Sequence, residues 1–218
     1  MTRRRSPDKI LEPLPSSPSR RSGFSTALFG CLGLVLAAGV VLAAQEVWRA
    51  ASHADEKLVL QGVGNFGRMN PRLYRGAQPT DAGFAALRAT GIDTVVRFSL
   101  GEEGSTAEKR VVEALGMRFV NLPWSTVHEP TSEQVVTFLR LLRDHPDYTV
   151  FVHCKAGSDR TGVMIALSRI ALDRLTVGEA LDEMKAFHYR YIFLPHLQKF
   201  VEAFPARLAS EPGLLAGI

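Results

Sequence analysis

One stretch of the 218-residue chain, His153-Cys154-Lys155-Ala156-Gly157-Ser158-Asp159-Arg160-Thr161-Gly162, gathers residue types that do chemistry together. Cys154 is one of two cysteines; the other, Cys31, lies in a long uncharged run, so no internal disulfide is expected and the thiol is left to react. The residues just before it, Thr149-Val150-Phe151-Val152-His153, are rich in β-branched and aromatic types and predict a strand, while the apolar run behind Arg160 predicts a helix. Gly157 lets the connecting loop bend sharply, and the loop's N–H groups, with the positive end of the following helix, can curl around one anion. Arg160 adds a planar fork that fits two oxygens of a phosphate, which the point charge of a lysine does not. A thiol in such an electropositive setting ionises readily and becomes a nucleophile. Phosphoryl transfer is mainly positioning plus stabilisation of equatorial oxygens, so the loop Lys155, Ala156, Gly157, Ser158 and Asp159, with Arg160 and Cys154, supplies the needed field. Two further roles are expected: Thr161 offers a hydroxyl to the departing sulfur, and the His153 imidazole orients the loop and favours the thiolate.

The elements that must hold this loop alternate between strand and helix. A short strand is predicted at 72–78, a helix capped by Thr80 and stopped at Gly91, and a strand at 93–99. Ser105 with Glu108 reads as a capping box for a helix ending at Gly116, Thr131 with Gln134 as another, and Thr176 with Glu179 as a third. A strand at 117–122 precedes the loop Trp124-Ser125-Thr126-Val127-His128-Glu129-Pro130, and Pro195 opens a last helix at 194–208. The expected fold class is α/β, a central, mostly parallel sheet flanked by helices, with sites beyond the carboxyl ends of the strands. The aromatic run 187–193 is expected to pack, Arg75 and Arg97 to be solvated or ion-paired, and Trp124 to line the site's mouth or close over it.

Residues 24–44 carry no charge, and about 21 residues at a helical rise span roughly 32 Å, enough to cross a bilayer. The expected organisation is a disordered basic tail at 1–23, a transmembrane helix at 24–44, a linker at 45–64 and a catalytic domain at 65–210. Up to Ala54 there are seven basic against three acidic residues, and nineteen against nineteen beyond, so the formal charge of +4 belongs to the tail. By the positive-inside rule the N-terminus is cytoplasmic and the domain lies outside: periplasmic in a bacterium, or secreted if the segment is cleaved. No basic stripe with interleaved aromatics points to nucleic acid. The six histidines lack ligand spacing, so neither metal nor cofactor is expected.

The signature His153-Cys154-x-x-Gly157-x-x-Arg160-Thr161-Gly162, in its strand-loop-helix setting, resembles that of cysteine-dependent protein tyrosine and dual-specificity phosphatases. The segments around Asn65-Phe66-Gly67, Gly91-Ile92-Asp93 and Asn121-Leu122-Pro123-Trp124 are similar to small atypical members, so the likeness covers about residues 65–191. It implies that Cys154 carries a phosphocysteine, that Arg160 binds phosphate, and that the substrate is a phosphorylated protein or small phosphomonoester. The family's general acid is an Asp on the loop after an upstream strand, and here that loop has none. Asp159, inside the phosphate loop, is the first substitute, with Glu129 and His128 as alternatives. Lys155 also resembles the phosphoinositide-phosphatase loop, but Ser158 stands where a second lysine is expected there. A phosphoinositide or phospholipid-headgroup substrate, and a phosphate-binding module without turnover, are the other readings.

Overall fold

The computed structural model describes residues 56–210. The predicted tail at 1–23, the membrane segment at 24–44 and the linker up to residue 55 lie outside the described residues. Among the described residues no helix is long and apolar enough to cross a membrane.

Six strands of the described residues form one sheet: β1 (Glu56–Lys57), β2 (Gly67–Asn70), β3 (Leu73–Ala77), β4 (Thr94–Arg97), β5 (Arg118–Asn121) and β6 (Val150–Cys154). Their order is β1-β2-β3-β6-β4-β5. β3, β6, β4 and β5 run parallel, as the strand-helix alternation predicts, whereas β1, β2 and β3 are antiparallel neighbours. The antiparallel edge corrects two expectations. The linker does not extend to residue 64, because Glu56 and Lys57 pair with Arg68 and Gly67 and Val63 is buried. β2, Gly-Arg-Met-Asn, lacks the β-branched residues that mark strands and was not predicted; the hairpin with β3 forms it.

Among the described residues six helices accompany the sheet: α1 (Asp81–Ala89), α2 (Glu102–Ala114), α3 (Ser132–Asp144), α4 (Asp159–Leu172), α5 (Val177–Ala186) and α6 (Pro195–Ser210). Thr80 caps α1 through Gly83 N, and Thr131 and Thr176 close full capping boxes on α3 and α5. The third box expected at Ser105 and Glu108 is not a helix start. α2 begins a turn earlier behind Gly101, and both residues lie inside it, facing inward. The helix needs Glu108 for an ion pair described below.

β6 is central and buried along its whole length. Since strand side chains alternate, Val150, Val152 and Cys154 face one core with α3, α4 and α6, while Phe151 joins the other core with α1 and α2 and His153 meets Phe84 there. The first core is pinned by Phe98 and Phe138, edge to face at 5.4 Å, and by Val163 to Leu167 of α4, all fully buried. β6 thus delivers Cys154 from the centre of the sheet to the N-terminus of a buried helix.

Candidate active site

Residues 155–158 leave β6 at Cys154 and enter α4 at Asp159. The loop's carbonyls are turned outward and engaged. Lys155 O accepts from Gln78 N at 3.3 Å, Gly157 O from Arg75 Nη2 at 2.9 Å and Asn65 Nδ2 at 3.1 Å, and Ser158 O from Gly162 N at 2.7 Å. By contrast the N–H groups of Lys155, Ala156, Gly157, Ser158, Asp159 and Arg160 donate to no acceptor among the described residues. Carbonyls tied back and amides left over define an anion nest at the positive end of α4. Cys154, a free cysteine only 3% exposed, lies at its base.

The bend depends on Gly157, whose φ is +68°. An added Cβ there would sit 2.4 Å from the carbonyl carbon and oxygen of Gly76, so any side chain drives the loop off β3. Arg75 braces the same turn from below. It is fully buried, bonds the Gly157 and Ser158 carbonyls and lies 4.2 Å from the Phe187 ring centre. Of the two surroundings expected for Arg75, solvation is corrected: it is a buried strut of the loop. Asn65, with φ +49°, is the second strut, joining the loop to Phe187 O at 3.1 Å. Neither was legible as a site residue, because the loop carbonyls they hold are distant in sequence.

Arg160 stands in the first turn of α4, and its Nη1 donates to Phe98 O at 3.2 Å and Trp124 O at 3.5 Å. These carbonyls follow β4 and β5, so the guanidinium spans the carboxyl edge of the sheet beside β6. Trp124 itself is buried in the core rather than lining a mouth. Thr161 is fully buried, and its Oγ1 has no hydrogen-bond partner among the described residues, the Cys154 sulfur included.

His153 departs from its expected role. Strand alternation turns it away from Cys154, its Nε2 meets Glu108 Oε1 at 2.7 Å, and its ring stacks on Phe151. Glu108 also accepts Gln78 Nε2 at 2.9 Å and forms an ion pair with Arg97, whose Nε lies 3.2 Å from Oε2. His153 therefore ties β6 to α2. Arg97 is ion-paired as expected, but buried.

The candidate acids are separated by their surroundings. Asp159, 6% exposed, accepts Arg190 N at 3.1 Å on Oδ1 and Arg190 Nε and Nη2 at 2.9 and 2.6 Å on Oδ2. Both oxygens are occupied as acceptors, a geometry that binds Arg190 rather than offering a proton to a leaving oxygen. Glu129 and His128 are exposed in the loop after β5. That loop is fixed to α6 where His196 Nε2 meets Thr126 O at 2.9 Å. The aromatic run is split: Phe187 and Tyr189 are buried as expected, whereas Tyr191 and Phe193 are exposed. Burial first, and then the Asp159 charge, push the Tyr189 phenol up to about 12. Arg190, the residue the sequence reading missed, has no motif to betray it.

A parallel sheet feeding a cysteine, an amide nest and an arginine into a helix start is the arrangement of a cysteine-based phosphatase. Residues 64–190 match the family described as DSP-PTPase phosphatase fused to NAD+ kinase, and the chain belongs to that family. The dual specificity protein phosphatase TpbA of Pseudomonas aeruginosa (strain UCBPP-PA14) is 31% identical over 121 residues, 56% of this chain and 53% of the relative. The chain thus spans about half the length of that curated relative. The crystal structure of P. aeruginosa TpbA aligns at a TM-score of 0.59 and 27% identity, over 70% of this chain and 92% of that one. A cysteine-to-serine form of TpbA in complex with phosphotyrosine aligns at 0.57 and 25% identity, over 67% and 87%.

Proposed function

We propose that the protein hydrolyses phosphomonoesters, phosphotyrosine and phosphoserine or phosphothreonine among them, through a phosphocysteine on Cys154. The observation that carries this reading is the set of six successive amides, 155–160, with no acceptor among the described residues, gathered at the N-terminus of α4 above a buried, free cysteine. The substrate phosphate accepts those amides and the Arg160 fork, which neutralise its equatorial oxygens. The Cys154 sulfur attacks phosphorus, the S–P bond forms, and the bond to the ester oxygen breaks as that oxygen takes a proton. Water then attacks phosphorus, giving its proton to the acid's conjugate base; the P–S bond breaks and inorganic phosphate leaves with the thiolate restored. With Asp159 engaged by Arg190, we assign the proton to Glu129, a carboxylic acid on the loop whose Trp124 carbonyl Arg160 contacts. The phosphotyrosine bound by TpbA supports an aryl phosphate as substrate.

We further propose that residues 24–44 anchor the chain in a membrane with residues 1–23 cytoplasmic and the domain from about Glu56 on the opposite side. The uncharged length of the segment and the basic residues before it support this topology. The test of function is hydrolysis of para-nitrophenyl phosphate by the full chain in detergent. Activity lost in Cys154→Ser supports the phosphocysteine route, whereas equal activity in that variant refutes it.

A further inference from the structure

The Asp159–Arg190 pair is not required for holding a single phosphate. One guanidinium beside the amides suffices for that, and Arg160 provides it. Asp159 instead places a negative charge inside the phosphate loop, and Arg190 reaches it from the connection between α5 and α6. The pair is lopsided: the Asp159 side chain is 8% exposed and that of Arg190 59%. Nε and Nη2 are turned to Asp159, while Nη1 has no partner among the described residues. The end-on edge of the fork, where Nη1 and the second Nη2 hydrogen point, is therefore open to solvent. Its place beside the nest follows from Asp159, the residue at which the loop that leaves Cys154 enters α4.

An arginine anchored along one edge has already lost much of its rotamer freedom, so it binds a second anion at a lower entropic cost than a free surface side chain. The end-on edge fits two oxygens of a carboxylate or phosphate. The loop itself lacks a second fixed cation: Ser158 occupies one candidate position, and Lys155 is exposed. We propose that Arg190, positioned by Asp159, is a second anion-binding residue at the mouth of the nest, which takes a carboxylate or phosphate that the substrate carries beside its scissile phosphate. This rests on the phosphatase reading above and deepens it to a substrate class, phosphomonoesters with a neighbouring negative group.

The test compares one-anion and two-anion probes on the full chain in detergent, in wild type, Arg190→Ala and Arg190→Lys. One arm uses phosphotyrosine peptides flanked by Glu or by Gln; the other uses pyrophosphate and inorganic phosphate as inhibitors of para-nitrophenyl phosphate hydrolysis. Wild type is expected to favour the two-anion member of at least one arm. Arg190→Ala is expected to shrink that preference about tenfold, the scale of one lost charge-assisted contact, through KM or Ki rather than kcat. Arg190→Lys, which retains the ion pair, is expected to fall between the two. The responding arm separates an acidic peptide flank from a second phosphate. No preference in wild type, or the same preference in all three proteins, overturns the proposal and leaves Arg190 as a brace for Asp159. If wild type turns over no phosphomonoester, the phosphatase reading fails instead. Calorimetric binding of pyrophosphate against phosphate to wild type and Arg190→Ala then decides the second position separately.

Discussion

Arg160 and Glu129 are where substitution speaks most directly about chemistry. Arg160→Lys keeps the charge and loses the fork, so kcat/KM for para-nitrophenyl phosphate is expected to fall about 10²–10³-fold, the usual cost of losing a preorganised donor at the developing charge. A fall below about tenfold in steady-state assays would mean that the fork is not used. The acid is read from leaving-group dependence. Glu129→Gln should cost about 10²-fold on phosphotyrosine, whose leaving oxygen needs a proton, and far less on para-nitrophenyl phosphate, whose leaving group departs as an anion. If Asp159→Asn shows that pattern and Glu129→Gln does not, the assignment here is reversed. Cys154, Arg160 and the loop amides were legible because local strand-turn-helix logic brings them together over seven residues. The fate of Asp159 was not, since it depends on Arg190, thirty-one residues away and reached only through the packing of α5 on α4.

At the level of elements, the turn at Gly157 is the most exacting point. Gly157→Ala must place a methyl where Gly76 lies and hold a non-glycine residue at φ +68°. The backbone strain alone is on the order of 1–3 kcal/mol, to be read by denaturant titration with loss of phosphate binding. Arg75→Leu removes buried, charged donors from the Gly157 and Ser158 carbonyls and should cost on the order of 2 kcal/mol while also weakening phosphate affinity. Unchanged stability and affinity would show that Asn65 alone holds the turn. The parallel strands and the caps at Thr80, Thr131 and Thr176 follow from local rules, in which a side chain and its partner lie within one turn. The edge hairpin and the start of α2 were not legible for the opposite reason. β2 is made by pairing, and Ser105 and Glu108 look like a cap until Arg97 and His153 claim the carboxylate across the sheet.

On the scale of the whole molecule, alkaline stability follows from Tyr189. Its phenol is raised from 10 to about 12 by burial and by Asp159, so the folded state holds a proton that the unfolded state releases first. This contribution is complete below about pH 10 and is lost as pH rises from there towards 12. Tyr189→Phe should abolish that part of the alkaline decline in thermal midpoint, and tyrosinate absorbance of the native protein should show one of the four tyrosines ionising late. A single common transition near pH 10 would contradict the burial argument. Membrane attachment has its own check: the full chain should sediment with membranes and resist carbonate extraction, and the domain should be open to protease from the face opposite the N-terminus. Catalysis turns on sulfur accepting a phosphoryl group within the amide nest. Rapid acid quenching during turnover, followed by peptide mass spectrometry, measures this directly. The predicted result is a phosphoryl adduct on the peptide bearing Cys154, absent in Cys154→Ser. Sustained turnover with no adduct on that cysteine would contradict it.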